Sequence, residues 1–248
     1  MSTETRRVGG NYSFADTVYN PTPNPMWDDY PALAIAQDPS IAYVDGDDFF
    51  DFDGSAGFTI TGEAGYTIEA SDASGGKVVL TTDGDDNDGL EIQRGATAGA
   101  AGESVILAAG KPVWFETKLA VADIDACDFA CGLMTTDTDI VTDAGDFVVT
   151  GGVYFANAHD GDLDYYTESA TTETTGDTGV NLLDATEVKL GIKWDGISAV
   201  TFWVDGVKVA TSTTNIPTTE LRLSYGIKNT GGAAEAVTVD YYKVAAIR

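Results

Sequence analysis

The most constraining feature of the sequence is the alternation of apolar and polar residues in its last third. The segment EVKLGIKW places four apolar residues, from Val188 to Trp194, at every second position, which on an extended strand is one face. A second run, AVTFWVDGVKVA, contains Asp205 and Gly206 at its centre, and this dipeptide favours the positive φ angles of a tight hairpin. The pattern predicts antiparallel strands with one apolar face and has no helical period.

Similar short strands fill the chain from about residue 45 onward. The segment VWFETKLAVA and the segment DFACGLMT each alternate, and they are separated by a turn that contains Asp123 and Asp125. Many short strands joined by Gly-rich and Asp-rich turns are typical of two packed sheets. We therefore predict an all-β protein, a two-sheet antiparallel jelly-roll β-sandwich over residues 45–248, with an extended arm before it.

The predicted arm, residues 1–44, holds five of the seven prolines, at positions 21, 23, 25, 31 and 39. Such a run cannot sustain a helix or a central strand, so we expect an extended or polyproline-like conformation. The arm also holds many large apolar side chains, which it can bury only against its own body or a neighbouring chain. We predict that it binds a partner through Arg6, Arg7, Tyr12, Phe14, Tyr19, Trp27 and Tyr30.

The charge balance excludes two classes of partner. The chain has 13 Lys and Arg against 40 Asp and Glu, a formal net charge of −27. Nucleic acids and anionic membranes both require cationic groups, so neither is an expected partner. The N-terminal stretch MSTETRRVGGNYSF has no apolar region behind its arginines, which predicts synthesis in a cytoplasm without a signal peptide.

Several short motifs occur in a characteristic order along the body: an acidic DND segment before a strand, WFE after an AG turn, and WDG followed by FWVDG. In this order they resemble the concanavalin-like and laminin-G-like jelly-roll proteins among the virion structural proteins of tailed bacteriophages. The resemblance implies the sandwich fold and a location in the virion. It covers about 200 residues and leaves out the arm.

From the resemblance and the arm together we predict a non-enzymatic capsid decoration or cement protein, which stabilises the phage head through its arm. The expected partners are the major capsid protein and further copies of the chain, in a homo-oligomer such as a trimer. The alternative is a carbohydrate-binding adhesin or fibre module. For that alternative, exposed aromatic rings could stack on sugars, and the candidates are Trp203, Tyr165, Tyr166, Tyr241 and Tyr242.

A glycoside hydrolase is the more remote alternative. Concanavalin-like hydrolases that resemble laminarinases have the motif Glu-x-Asp-x-x-Glu, in which one acid is the nucleophile and one donates a proton. The nearest string here, Asp123, Asp125 and Asp128, has this spacing, but Asp replaces both Glu residues. The shorter side chains and the break in the strand pattern favour a solvated turn. We therefore predict no catalytic residue and no enzymatic activity.

The remaining ionisable residues suggest two further sites. The loop with Asp83, Asp85, Asp86 and Asp88 offers oxygen ligands for Ca²⁺, but it departs from the EF-hand pattern, and a charged loop without cofactor is the preferred interpretation. His159, the only histidine, is expected in a surface loop, since no nucleophile motif accompanies it. Cys127 and Cys131 should be buried on one strand face, too far apart for a disulfide.

Overall fold

The computed structural model of the chain describes residues 25–30, 39–50, 52, 57–71, 75–95, 105–143, 145–147, 149–170 and 172–248. No helix in these ranges has the length and hydropathy needed to cross a membrane. A short 3-10 helix, Pro25–Trp27, precedes a series of β-strands. The strands are β1 (Ala42–Asp47), β2 (Phe58–Gly62), β3 (Thr67–Ala70), β4 (Val78–Thr81), β5 (Gly89–Arg94), β6 (Val113–Val121), β7 (Cys127–Met134), β8 (Gly151–Ala158), β9 (Asp162–Ser169), β10 (Thr172–Asn181), β11 (Val188–Trp194), β12 (Val200–Val204), β13 (Val207–Ser212), β14 (Arg222–Asn229) and β15 (Ala236–Ile247).

The strands form two antiparallel sheets. The eight-stranded sheet has the order β13-β12-β11-β6-β15-β4-β3, and β1 pairs with the second half of β15. The seven-stranded sheet has the order β10-β9-β8-β7-β14-β5-β2. Hairpins of consecutive strands form one end of each sheet, and the central strand pairs, such as β6 with β15 and β7 with β14, are distant in sequence, as expected when the chain of a jelly roll passes between two packed sheets. The predicted all-β, two-sheet jelly-roll sandwich is confirmed.

The core lies between the sheets and is built from the apolar positions of the alternating runs. Phe115 and Phe202 from the eight-stranded sheet meet Phe129, Phe155 and Tyr225 from the seven-stranded sheet, and each of these side chains is almost fully buried. Because side chains of a strand point to opposite faces in turn, each strand gives every second residue to this core.

Cys127 and Cys131 belong to the same core. Both lie on β7 with no exposed surface, and they form no disulfide. Burial in apolar surroundings raises the pKa of both thiols, so both remain neutral. The prediction that they act as small buried apolar residues is confirmed.

Two turns set the strand register in the last third of the chain. Asp205 and Gly206 have φ angles of 50° and 80° and join β12 to β13 as a tight hairpin. Between β11 and β12, Asp195 Oδ1 accepts hydrogen bonds of 2.7 and 2.8 Å from the backbone N–H groups of Ile197 and Ser198. These turns fix the register that puts Trp194 and Phe202 on the core side.

Candidate functional site

The outer face of the seven-stranded sheet carries a group of polar side chains that are buried. On β5, β7, β8, β9 and β14, the residues between the core positions point away from the opposite sheet. Several of these outward residues are polar and nevertheless buried, which requires a cover and hydrogen-bond partners. The buried polar residues of this face include Glu91, Gln93, Asp128, Glu168, Ser224 and Lys228.

The cover is a segment between β7 and β8, residues 135–149, which we call the cap; residues 144 and 148 lie outside the described ranges. Ile140, Val141 and Val149 of the cap pack with Ala130 and Tyr154 of the sheet in a second apolar cluster. The cap approaches β14 closely at Gly226, where an added Cβ atom would lie 3.0 Å from Ile140 Cγ2. The central strands therefore carry a second layer, made of the chain itself.

Polar side chains of the sheet hold the cap in place. Glu91 Oε1 accepts a hydrogen bond of 3.2 Å from the N–H of Ile140, and Lys228 Nζ donates one of 3.2 Å to the carbonyl of Val141. Lys228 also forms an ion pair of 2.7 Å with Asp143. Desolvation raises the pKa of Glu91 to about 8, so its carboxyl group is largely protonated at neutral pH.

Two tyrosines of the sheet and one phenylalanine of the cap form an aromatic platform, which we define as Tyr154, Tyr166 and Phe147. The rings of Tyr154 and Tyr166 are parallel within 3°, with centroids 4.8 Å apart, and Phe147 meets Tyr166 edge to face at 5.7 Å. Tyr154 is fully buried and its hydroxyl donates a hydrogen bond of 3.3 Å to Glu168 Oε2. Tyr166 is only partly buried, so the platform reaches the surface of the protein at this residue.

This platform contains one of the predicted sugar-stacking residues. In the pair Tyr165 and Tyr166, only Tyr166 faces outward, whereas Tyr165 packs against the core near Phe202. The pair Tyr241 and Tyr242 divides in the same way, with Tyr242 in the core. The prediction that each adjacent pair sends one ring to each face is confirmed.

Carboxylates surround the platform in opposed pairs. The register of β9 and β10 places Glu168 opposite Glu173, and Asp164 opposite Asp177. Side chains in such positions have Cβ atoms roughly 4.5–5.5 Å apart. Desolvation raises the pKa values of Glu168 and Asp164, and the opposed carboxylates raise them further. Tyr166 is thus bordered by hydrogen-bond acceptors on both sides along the strand.

At the far end of the same face, His159 pairs with Asp128. His159 Nδ1 lies 2.6 Å from Asp128 Oδ1; the carboxylate side chain is 3% exposed and the imidazole 49%. Desolvation raises the pKa of Asp128, although the imidazole opposes that shift. His159 is half-exposed, as predicted for a surface histidine. Its carboxylate partner, Asp128, lies 31 residues earlier and was not predicted. No local sequence signal connects the two.

The three acids of the laminarinase-like string do not come together. Asp123 and Asp125 lie in the exposed turn before β7, where Asp123 Oδ1 accepts a hydrogen bond from the N–H of Asp125. Asp128 lies on the strand itself, buried at the outer face. The string therefore serves as a turn and a single buried acid, and the carboxylate pairs of this face come from β9 and β10 instead.

The acidic loop between β4 and β5 is organised by an asparagine. Asn229 Nδ2 donates hydrogen bonds of 2.9 and 2.8 Å to the carbonyls of Asp83 and Asp85, and its Oδ1 accepts one from the N–H of Asp88. Among the described residues, no three His, Cys, Asp or Glu side chains gather as metal ligands. Calcium binding by Asp83, Asp85, Asp86 and Asp88 was the alternative to a charged loop without cofactor, and it stays untested.

A second aromatic cluster lies on the outer face of the eight-stranded sheet, where residues 25–30, which we call the anchor, pack against the body. Met26 is fully buried there, and Trp27 and Tyr30 contact Trp114 with ring centroids 6.4 and 5.4 Å away. Lys243 Nζ lies 4.4 Å from the Trp27 ring centroid, a cation–π contact. Two of the predicted partner-binding residues, Trp27 and Tyr30, thus contact the chain's own sandwich.

The other predicted sugar-stacking residues lie at this cluster. Trp203 packs beside the anchor, and the Tyr241 hydroxyl donates a hydrogen bond of 2.8 Å to Glu116. Partner binding by the arm stays a prediction, since Arg6, Arg7, Tyr12, Phe14 and Tyr19 lie outside the described residues. β1 begins at Ala42, three residues before the predicted start of the body, and the domain boundary also stays a prediction.

No protein family model matches the sequence, and no curated protein matches it. Solved structures do match. A Shewanella oneidensis MR-1 protein of unknown function is 10% identical, with a TM-score of 0.56, over 88% of this chain and 93% of that chain. A Bacteroides ovatus mixed-linkage glucan GH16 protein, in complex with a product, is 12% identical, with a TM-score of 0.56, over 81% and 99%. The carbohydrate recognition domain of Emp46p is 8% identical, with a TM-score of 0.54, over 80% and 94%.

The comparisons correct one prediction. We predicted a protein without enzymatic activity, but the similar structures include glycoside hydrolases and an endo-β-1,4-glucuronan lyase from Trichoderma reesei. Excluding catalysis was therefore wrong, because the fold is one that supports it. A string of acids along one strand is a local motif, whereas carboxylates that a sheet brings together from different strands leave no local motif in a sequence.

The comparisons also bear on the other expectations. A potassium-bound form of the Emp46p domain is among the similar structures, so the fold accommodates an ion in that protein. None of the similar structures named here is described as a virion protein, and a phage origin gains no support. At identities this low the likeness shows the fold alone: the chain is a concanavalin-like jelly-roll sandwich, the fold of the hydrolases, lyase and lectin domain that it resembles.

Proposed function

We propose that the protein binds carbohydrate at the outer face of the seven-stranded sheet, around the ring of Tyr166. The observation that carries this proposal is the aromatic platform with its opposed carboxylates. A sugar presents C–H groups on one face and hydroxyl groups at its rim. An aromatic ring accepts the first by stacking, and carboxylates accept hydrogen bonds from the second.

The rigidity of the platform supports recognition. Tyr154 is buried and its hydroxyl is bonded to Glu168, so the ring beneath Tyr166 does not move freely. Phe147 of the cap supports Tyr166 from a second side. A ligand therefore meets side chains that are already in place, which reduces the entropy lost on binding.

The charge of the site selects the class of sugar. The carboxylates of Asp164, Glu173 and Asp177 face the platform, and the whole chain has a net charge of −27. This field repels uronates, sulfated sugars and sialylated glycans. We infer that the ligand is a neutral glycan, and we expect weak salt dependence of its binding.

The test is a glycan array probed with the full-length chain. Binding to neutral oligosaccharides, with no enrichment of acidic glycans, supports the proposal. Retention of acidic glycans alone contradicts the inferred sugar class, and absence of binding to every glycan at high protein concentration contradicts the function. A Tyr166→Ala chain on a parallel array separates platform binding from binding elsewhere on the surface.

Hydrolysis of a glycosidic bond is the second candidate function, favoured by the opposed pair Glu168 and Glu173. The cross-strand spacing brings their carboxyl groups near the roughly 5–5.5 Å that retaining glycosidases use. Burial and the opposed carboxylate raise the pKa of Glu168, which suits a proton donor, while Glu173 is exposed and can approach a sugar. Release of reducing ends from neutral oligosaccharides, lost in Glu168→Gln and Glu173→Gln, would support this candidate.

Partners and location rest on the arm and stay proposals. Binding of a major capsid protein, self-association as a trimer and a place in the virion have no support from the fold, and an adhesin or fibre module fits carbohydrate binding equally well. Capsid binding by full-length chains that carry Tyr12→Ala and Phe14→Ala, compared with the unchanged chain, tests the capsid proposal independently of sugar binding.

A further inference from the structure

A pocket with charged walls lies on the outer face of the eight-stranded sheet. Its volume is about 230 Å³, and it opens over β6 and β15, close to the first residues of β4 and β11. We call it the charged pocket and define it by Lys77, Ala120, Ala185, Glu187, Thr238 and Asp240. Because one water takes roughly 30 Å³ of liquid volume, this space suits a molecule of about six to ten non-hydrogen atoms.

The floor of the charged pocket consists of small side chains. Ala120 on β6 and Thr238 on β15 are direct partners in the sheet register. The residues on either side of each belong to the core, so both side chains point outward. Ala122, just after β6, and Ala185 line the same space. Methyl groups and one hydroxyl group therefore form the floor.

A series of ion pairs forms the walls. The Glu187 carboxylate pairs with the ammonium groups of both Lys77 and Lys118. Lys118 Nζ also lies 2.8 Å from Asp240 Oδ2. Lys77 precedes β4 and Glu187 precedes β11, and β15 and β6 lie between these strands in the sheet. The two side chains therefore meet over the strands that provide the floor.

The walls are charged at neutral pH and can make further hydrogen bonds. Lys118 and Lys77 lower the pKa of Glu187 to about 2. Asp240 and Glu187 raise the pKa of Lys118. Of the three N–H donors of Lys77, one bonds to Glu187, and the other two have no partner among the described residues. Within the same ranges, Asp240 Oδ1 and the Thr238 hydroxyl accept no hydrogen bond.

This arrangement favours a small molecule that carries both charges. A simple anion meets the field of a chain with a net charge of −27, and Glu187 already pairs with both ammonium groups. A simple cation meets carboxylates that Lys77 and Lys118 already neutralise. A zwitterion uses what remains: its carboxylate accepts from Lys77, and its ammonium group donates to Asp240.

We propose that the charged pocket binds a free α-amino acid with a small aliphatic side chain. Its carboxylate lies at Lys77, its ammonium group lies between Asp240 and the Thr238 hydroxyl, and its side chain packs on the methyl groups of Ala120 and Ala122. The proposal is independent of sugar binding, because the charged pocket and the aromatic platform lie on the outer faces of different sheets.

The experiment titrates L-valine into the full-length chain and follows the backbone amides by two-dimensional NMR. We expect a dissociation constant of about 1 mM, with the largest shifts at residues 77, 120 and 238. Two matched probes test the charge requirement. The first, 3-methylbutanoate, lacks the ammonium group of L-valine, and the second, 2-methylpropylamine, lacks the carboxylate. Each should bind about tenfold or more weakly than L-valine.

Variants locate the site. Lys77→Met removes the ammonium group that receives the carboxylate, and Ala120→Leu fills the floor, so each should weaken L-valine binding about tenfold or more. Lys208→Met is the matched control, because it removes the same charge from exposed β13 at one edge of the same sheet, and it should leave the affinity unchanged. If Ala120→Leu lowers the thermal unfolding midpoint, the comparison of Lys77→Met with Lys208→Met decides.

Three outcomes would overturn the proposal. One is the absence of amide shifts at the charged pocket when L-valine is about tenfold above the expected dissociation constant. Another is an affinity for L-valine that Lys77→Met leaves unchanged. The third is binding of 3-methylbutanoate or 2-methylpropylamine as tight as that of L-valine, which would make the ligand a simple ion.

Discussion

Glu116 on β6 joins Trp27 of the anchor to the body: its Oε2 accepts a hydrogen bond of 2.9 Å from Trp27 Nε1. Its Oε1 accepts one of 2.8 Å from the hydroxyl of Tyr241 on β15. Glu116 is 9% exposed, so both hydrogen bonds form away from bulk water. Each therefore contributes more to stability than a hydrogen bond at the surface does. Trp27, which was predicted to bind a partner, is therefore hydrogen-bonded to the body of its own chain.

Replacing Trp27 by Phe tests this connection. The aromatic contacts with Trp114 and Tyr30 remain in large part, but Glu116 loses one donor, so we expect a loss of about 1–2 kcal/mol in the free energy of unfolding. Urea denaturation followed by circular dichroism measures it. Trp203→Phe is the control: its Nε1 donates to the neutral hydroxyl of Thr201, two residues away on the same strand, and not to a carboxylate, so the loss should be smaller.

The cap predicts a pH dependence of stability. The pKa of Glu91 is about 8 in the folded protein because of desolvation, with Asp139 and Asp137 raising it further and Lys228 lowering it. The folded state therefore holds a proton that the unfolded chain has lost, and the free energy of unfolding falls as pH rises from about 4.5 to 8. The upper limit is about 5 kcal/mol, and we expect roughly half of it.

Glu91→Gln isolates this contribution from the general repulsion among carboxylates. The amide oxygen can still accept from the N–H of Ile140, so the contact is kept while the titration is removed. Denaturation at pH 5, 6.5 and 8 should show a flatter profile for the variant and a gain in stability at pH 8. A variant profile parallel to that of the unchanged chain would contradict the assignment of the slope to Glu91.

Lys228 should control how firmly the cap is held. Lys228→Met retains the apolar part of the side chain but removes the bond to the Val141 carbonyl and the ion pair with Asp143. We expect faster amide hydrogen exchange in residues 135–149, by about tenfold or more, with little change in β6 or β11. Asp143→Asn, whose carboxylate is largely exposed, is the control and should have a smaller effect.

Asn229 should be the key residue of the acidic loop. Its amide donates to the carbonyls of Asp83, Asp85 and Ala233 and accepts from the N–H of Asp88. Asn229→Ala leaves these groups without a partner, so we expect a loss of about 2–4 kcal/mol, measured by thermal or urea unfolding. A loss below about 0.5 kcal/mol would show that the loop holds its shape without Asn229.

The sandwich fold was predictable because it is determined by sequence patterns within single strands and turns. Alternation along β6, β11 and β12 assigns each side chain to a face, and Asp205 with Gly206 determines the hairpin. A strand with period two leaves one face for the core, so the sequence alone identified the fold class and the apolar face from Val188 to Trp194, which lies in the core.

The site was less predictable because its parts are distant in sequence. His159 meets Asp128 across 31 residues, and Glu91 bonds to a backbone group 49 residues away. Glu168 and Glu173 are near in sequence, but their pairing depends on the register of β9 and β10. The cap, residues 135–149, also has no regular alternation of apolar and polar residues. The sequence therefore did not indicate that this segment covers the outer face of a sheet.

The proposed function depends on the stacking of a neutral sugar on the ring of Tyr166. The most direct measurement is isothermal titration of the best neutral oligosaccharide from the array into the unchanged chain, Tyr166→Ala and Tyr166→Phe. We predict that Tyr166→Ala weakens binding about tenfold or more while Tyr166→Phe, which keeps the stacking face, changes it less than about threefold. Equal affinity for all three chains, each with its normal unfolding midpoint, would contradict the proposed function.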